Sequence, residues 1–167
     1  MNVIVAVDEK WGIGKNNDLL FHIPEDMNYF RTITKNKVVC MGYNTLLSLP
    51  GHSPLKNRVN IVLAPKNVER NDLIVVHDLD ELFSELKKYN DDDIFVIGGG
   101  MFYKTMLPYS ENVYVTKVYA DGGATVFFDN LDEQKCFVKS ELSEIKEFND
   151  IKFQFTVYEN TSPKKYE

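Results

Sequence analysis

Two stretches of the chain hold residue types that could do chemistry together. The first runs from Gly12 to Arg31, a glycine- and asparagine-rich loop that leads into Ile23-Pro24-Glu25-Asp26. Pro24 suits the first position of a helix, because its missing N–H would have no partner there and its φ is already helical. Glu25 and Asp26 then fall in the first turn, and Met27, Phe30 and Ile33 recur at threes as an apolar stripe with Asp26 at its margin. A carboxylate beside such a stripe, under a flexible loop, can manage one proton away from bulk water. The helix macrodipole alone also favours an acid in that turn, so the pattern leaves both readings open. The second stretch, Asp93 to Tyr103, is a buried-type strand that ends in Gly98-Gly99-Gly100 and passes straight into a helix. Residues without Cβ let a ligand approach the backbone, and the N–H groups beyond them suit a pyrophosphate. The same glycines also permit close strand-to-helix packing, and the run is not the G-x-G-x-x-G fingerprint of dinucleotide-binding folds.

The elements that would position these groups alternate along the chain. Asn2–Val7 reads as a strand buried on both faces, and Glu9–Ile23 as a long loop without structure of its own, the kind that tends to be a functional lid. A helix from Pro24 to about Thr34 precedes a strand at Lys37–Gly42. A short helix at Tyr43–Leu49 stops at Pro50-Gly51, and strands follow at Arg58–Ala64 and Leu73–Val76. Asp78 can cap a helix that runs to about Lys88, and Asp91-Asp92-Asp93 reads as a solvated turn. Strands are expected at Asn112–Tyr119, Phe137–Leu142 and Ile151–Glu159, the last two as an antiparallel hairpin on the sheet edge, and 160–167 as a frayed tail after a single domain over 1–159. Helices interleaved with strands early, and strands alone late, predict an α/β sandwich around one mainly parallel sheet with an antiparallel edge.

Composition bounds the function. The 167 residues are 44% hydrophobic and 13% aromatic, enough for one sizeable core. A net charge of -6 argues against nucleic acid or an anionic membrane as partner. Apolar runs such as Val3–Val7 are too short to span a bilayer, and no basic region precedes them, so a cytoplasmic protein is expected. Cys40 and Cys136 show neither ligand spacing nor a disulfide framework, and read as small buried hydrophobes.

Four separated motifs coincide with one family: the loop-to-helix segment ending Ile23-Pro24-x-Asp26-x-x-x-Phe30, Met41-Gly42-Tyr43-Asn44-Thr45 with Ser48, Asn57-Arg58-Val59-Asn60, and Ile97-Gly98-Gly99-Gly100-x-x-Tyr103. Together they resemble bacterial-type dihydrofolate reductase over essentially the whole chain. The resemblance implies an eight-stranded, mainly parallel sheet with about four flanking helices, and NADPH-dependent reduction of 7,8-dihydrofolate to tetrahydrofolate by a monomer that also binds antifolate-type molecules. It implies that Asp26 binds the pterin and supports protonation at N5, that Thr116 bonds Asp26, and that Arg58 grips the α-carboxylate of the substrate's glutamate tail. Ile4, Val5, Ala6, Met27 and Phe30 would surround the pterin and aminobenzoyl ring with Ser48, Leu49, Leu55, Ile97 and Tyr103. Ala6, Ile13, Gly14, Asn17 and Leu19 would border the nicotinamide. Gly42, Tyr43, Asn44 and Thr45 would open a phosphate-binding helix, and Leu63, Ala64, Pro65 and Lys66 would border the adenosine. Ile97, Gly98, Gly99, Gly100, Met101, Phe102 and Tyr103 would take the pyrophosphate and nicotinamide side, with a cis bond between Gly98 and Gly99, and Thr125 is a further match.

The chain departs from that family at several points. Phe21 stands where most members carry a tryptophan whose N–H positions a water, and phenylalanine has no donor. Leu19 and Phe21 would still flank the proton step. Tyr43 and Met101 occupy places that often hold arginines facing the adenosine phosphates, and Pro65 replaces a common serine or threonine, which puts the source of NADPH selectivity in question. Two rival readings fit parts of the chain. A phospho-acceptor receiver domain would use Asp8-Glu9, but Ile61–Ala64 is followed by proline where its acceptor aspartate belongs. A reductase of another pterin or of a ribosylamino-pyrimidine fits the same scaffold, and Arg58 discriminates, since only a substrate with a remote carboxylate needs it.

Overall fold

The computed structural model describes residues 1 to 166. Its frame is β1 (Asn2–Val7), an apolar run from Val3 to Val7 with strands paired on both edges and its side chains almost all buried. In chain order there follow β2 (Gly12–Gly14), α1 (Pro24–Thr34), β3 (Val38–Gly42), α2 (Tyr43–Ser48), β4 (Val59–Leu63), β5 (Ile74–Val76) and α3 (Leu79–Leu86). Then come β6 (Ile94–Val96), α4 (Gly100–Met106), β7 (Asn112–Val118), β8 (Val126–Phe127), β9 (Phe137–Leu142), β10 (Lys146–Phe148) and β11 (Ile151–Asn160).

The main sheet has the order β10-β11-β7-β1-β6-β3-β4-β5, with β9 also on β11. β5, β4, β3, β6, β1 and β7 are parallel to their neighbours, and β11 joins β7 antiparallel. β9 pairs with Thr156–Asn160 and β10 with Ile151–Phe153. The two therefore lie end to end on the outer edge of β11 and fill one sheet position, the eighth. The predicted hairpin of the last two strands is present, with a third strand, β10, inside it.

Strand alternation splits the core. Val38, Cys40, Ile61, Ile94, Val96, Val113 and Val115 meet Leu82 and Leu86 of α3 and Phe102 and Met106 of α4. Val39, Met41, Val62 and Ala64 turn the other way, onto Leu46 of α2. Thr116, two residues after Tyr114 on β7, lies on that second face, where α1 also packs. The helices start where their sequences allow: Pro24 opens α1 at N1, and the Asp78 side chain accepts from the Glu81 N–H at 2.8 Å to cap α3.

Two expectations change. The segment Glu9–Ile23 is not structureless, since β2 within it pairs with β8 and Phe128 N–H donates to Trp11 O at 2.8 Å. The residues after 159 do not leave the body: Asn160 ends β11 buried, its amide donates to Ser110 O at 2.9 Å, and Tyr166 stacks on Phe83. Tyr166 also donates its hydroxyl to Asp91 at 2.5 Å, so an aromatic side chain ties down what its polar neighbours made look frayed. Glu167 lies outside the described residues.

Candidate active site

Asp26 sits in the first turn of α1 and Thr116 on β7, in register with Ala6 of β1. The Thr116 hydroxyl is buried and donates to Asp26 Oδ1 at 2.6 Å. Burial pushes the Asp26 carboxyl above the ordinary carboxylate range, and the Thr116 bond pulls partly against it. No cation lies within ion-pair distance of Asp26 among the described residues. Its surroundings are aromatic instead. Tyr29 on the same helix stacks on Phe155 at 4.0 Å between centroids, and its hydroxyl is pushed up to about 12 by burial, with Tyr114, Glu141 and Asp26 adding to the rise. Tyr103 of α4 is buried, donates to Ile4 O at 2.8 Å, and also feels the Asp26 charge. Register and hydrogen bonds bring Ala6, Thr116 and Asp26 together, with Tyr103 held to Ile4 on the same strand β1.

Thr116→Val is expected to move the pH dependence of the rate to higher pH, because the bond it removes is the influence that lowers the Asp26 carboxyl. The plateau rate should fall roughly tenfold for one charge-assisted hydrogen bond. A profile that stays in place would show that the two side chains do not bond in solution.

The glycine turn is close by. The Gly98–Gly99 peptide is cis, Gly98 has φ +132°, and Gly42 N–H donates to Gly98 O at 2.8 Å. A Cβ on Gly98 or Gly99 would stand 3.2 or 3.3 Å from Thr45 Oγ1, and one on Gly100 would strike Val126 at 2.5 Å. Gly98 and Gly99 therefore let the backbone pass close to Thr45, and Gly100 lets Val126 of β8 approach the start of α4. Phe102 is buried behind them and Met101 is 82% exposed. Tyr43 packs on the second core cluster while Asn44 is exposed, and Thr45 is half-buried. At the end of β4, Leu63 is half-buried, Ala64 buried, and Pro65 and Lys66 exposed.

The pterin-side residues split by depth. Ile4 and Val5 are buried in β1, although Val5 belongs to the core face rather than to the Asp26 face. Met27 is 44% exposed, Phe30 is half-buried, and Leu49, Leu55 and Ile97 line the second cluster. Ser48 is exposed and donates its hydroxyl to Thr45 O at 2.6 Å, a local bond at the end of α2. Phe21 packs on Ile23, Val118 and Phe153.

Arg58 differs from the free fork that the sequence suggests. Its Nε donates to Thr34 Oγ1 at 3.1 Å, Nη1 to Lys56 O at 2.6 Å and Nη2 to Arg31 O at 3.0 Å. A guanidinium has five N–H donors, so one remains on each terminal nitrogen. Burial and the neighbouring Arg31 charge both weigh against the Arg58 cation, and no acid pairs with it among the described residues. An open groove of about 380 Å³ runs past it, lined by Leu55, Lys56, Asn60 and Leu73 among others.

Sequence reasoning missed Asp8. This buried carboxylate accepts from Lys10 N at 2.9 Å, Gly12 N at 2.7 Å and Gly122 N at 3.0 Å, and so ties the root of the lid to the loop at 120–125. Thr125 N–H donates to Gly14 O at 2.9 Å in the same seam, with Ile13 half-buried beside it. Beyond it, Asn17 (φ +58°) and Leu19, 56% exposed, form an outer tip. Hydrogen exchange should find the Gly12 amide slow with or without ligands, and Asn16 to Leu20 fast in the free enzyme and slowed when NADPH and folate are bound. Equal exchange of the tip in both states would remove its lid role.

A half-buried lone carboxylate bonded to a hydroxyl, beside a glycine turn on an α/β sheet, can manage one proton away from bulk water next to a backbone that a ligand can approach. The family profile described as dihydrofolate reductase matches residues 1–160. Dihydrofolate reductase of Bacillus subtilis (strain 168) is 33% identical over 99% of this chain and 97% of its own length, and that of Staphylococcus haemolyticus is 33% identical over 95% of each. A solved dihydrofolate reductase from Enterococcus faecalis, complexed with NADP(H) and RAB-propyl, superposes with a TM-score of 0.84 at 24% identity over 95% of both chains. The chain belongs to the dihydrofolate reductase family, whose members are NADPH-dependent oxidoreductases of folate metabolism.

Proposed function

We propose that Asp26, Thr116, Arg58 and the Gly98–Gly100 turn carry out the family reaction in this chain, the reduction of 7,8-dihydrofolate to 5,6,7,8-tetrahydrofolate. The single observation that carries the reading is the 2.6 Å bond from Thr116 to an Asp26 whose carboxyl is raised by burial. Thr116 occupies one oxygen and leaves the other to accept N–H groups of a pterin ring, while the raised carboxyl favours a proton held near N5. Bound NADPH supplies the hydride that reaches C6. Thr45, Gly98 and Gly99 fit its phosphates, since a Cβ on either glycine would fill the space facing Thr45 Oγ1. Ile13, Gly14, Asn17 and Leu19 cover the reacting face and exclude water. Arg58 holds the far carboxylate, with one N–H left on each terminal nitrogen. This arrangement needs no nucleophile and no metal ligand.

The reading extends to a cytoplasmic monomer with dihydrofolate and antifolate-type molecules as its ligands. A net charge of -6 supports the absence of nucleic acid, and among the described residues no helix is long and apolar enough to cross a membrane. The test follows loss of NADPH absorbance with dihydrofolate, with a pterin that lacks the glutamate tail, and with a ribosylamino-pyrimidine. Turnover should be fastest with dihydrofolate. Faster turnover of the ribosylamino-pyrimidine would reassign the substrate.

A further inference from the structure

Trp11 stands at the root of the lid with φ +63°, in the left-handed region. A bulky side chain there is a true outlier, and such a conformation persists only where its surroundings over-determine it. The backbone supplies two constraints: Trp11 N–H donates to Asp8 O at 3.0 Å, and Phe128 N–H donates to Trp11 O at 2.8 Å. The ring supplies the rest. It is buried, stacks on Phe128 at 6.3 Å between centroids and meets Tyr158 of β11 edge-on at 6.1 Å.

A charge completes this packing. Lys117 of β7, the residue after Thr116, places Nζ 5.1 Å from the centre of the Trp11 ring and 5.4 Å from that of Tyr158. Its side chain is 14% exposed, and burial holds the ammonium below its ordinary value, with Asp132 pulling partly against it. Asp132 lies in the turn Leu131–Glu133 and accepts from Lys117 Nζ at 2.9 Å. The same carboxylate accepts the Tyr158 hydroxyl at 2.7 Å and stands 3.5 Å from Lys139 Nζ. Asp132 would therefore keep partners without Lys117, whereas among the described residues Trp11 has no other cation over its ring. An aliphatic side chain would fill the space without desolvating an ammonium, but it would not hold an indole face in one orientation.

Thr116 and Lys117 point to opposite faces of one strand, Thr116 to Asp26 and Lys117 to Trp11. That strand is paired on both edges, with Val7 of β1 beside Lys117 on one side and Gln154 of β11 on the other. It gives the carboxylate and the lid root a common, fixed reference. We infer that Lys117 is a positioning residue for the lid, acting through Trp11: its ammonium pins the indole, the pinned ring holds the left-handed turn, and that turn sets the direction in which Gly12–Gly14 leave β1 to reach β8. The inference rests on the reading above in which Ile13, Gly14, Asn17 and Leu19 cover the reacting face.

Lys117→Met keeps the length of the side chain and removes the charge, while Lys117→Arg keeps a cation over both rings and the pair with Asp132. Trp11 is the only tryptophan of the chain, so quenching of its fluorescence by acrylamide reports on the pin directly. In Lys117→Met that quenching should rise. Hydride transfer at saturating NADPH and dihydrofolate should slow by roughly three- to thirtyfold, the range for one cation–π contact, with the Kd of dihydrofolate for the cofactor-free enzyme unchanged. Lys117→Arg should match wild type in all three. A general loss of stability, measured well below Tm, would move none of them. Unchanged quenching in Lys117→Met would overturn the assignment and leave the lid reading standing. Raised quenching with wild-type hydride transfer would overturn both, because a loosened root would then have no bearing on the reaction.

Discussion

Asp26→Asn is expected to slow hydride transfer at neutral pH by roughly a hundredfold to ten-thousandfold, the range for loss of a positioned acid–base group. The substitution keeps the volume and leaves an oxygen that can still accept from Thr116. Among the described residues it removes the one group beside the site that can readily exchange a proton, because burial lifts Tyr29 to about 12 and raises Tyr103 also, so both tyrosines keep theirs. As pH falls, solvent supplies the proton and the gap between variant and wild type should narrow. Stability should move in the opposite direction. A carboxyl raised on folding binds more protons folded than unfolded, so its contribution weakens as pH rises from the ordinary carboxyl value through the raised one. Above that window wild type carries a desolvated charge that the asparagine lacks. Asp26→Asn should therefore melt at a higher temperature than wild type at neutral pH, and the difference should fade in acid. Such a trade of stability for activity is common at functional sites. A variant as fast as wild type at pH 7 would leave Asp26 a dipole partner of α1 and nothing more.

The residues that gave the fold away were those with local causes. Pro24 and Asp78 set helix starts by backbone geometry, and β1, β3 and β4 announce themselves as continuous apolar runs because both faces are buried. What sequence reading missed depends on partners far along the chain. Gly12–Gly14 is a strand only because Val126–Phe127 lies beside it, and β10 exists only as an addition to β11. The same holds for the site. Asp26 was visible from its helix turn, and Thr116 only through the family resemblance, since a threonine in a strand carries no mark of the carboxylate it faces. Asp8 entered the sequence reading only through the rejected receiver-domain alternative, because one of its partners is an amide contributed by Gly122, far along the chain.

Arg58→Lys should raise the KM for dihydrofolate about ten- to a hundredfold while leaving a pterin without the glutamate tail unaffected, a loss of roughly 1.5 to 3 kcal/mol for one arm of a charge-assisted pair. The structure sharpens the reason. Three of the five guanidinium donors are spent on Thr34, Lys56 and Arg31, which orient the plane and leave an N–H on each terminal nitrogen for a carboxylate. Lysine offers three donors on a single nitrogen and cannot both satisfy those acceptors and present a fork. Arg58 is also held charged against burial and against Arg31, so an incoming carboxylate relieves a cost already present in the free enzyme. Because Arg58 ties the end of α1 to the turn at Lys56, the variant also loses structural bonds. Thermal melting separates that from binding: a modest drop in Tm with an unchanged KM for the tail-less pterin marks a substrate contact. If both substrates weaken together, Arg58 serves the framework, and the ribosylamino-pyrimidine alternative, which needs no remote carboxylate, gains what dihydrofolate loses.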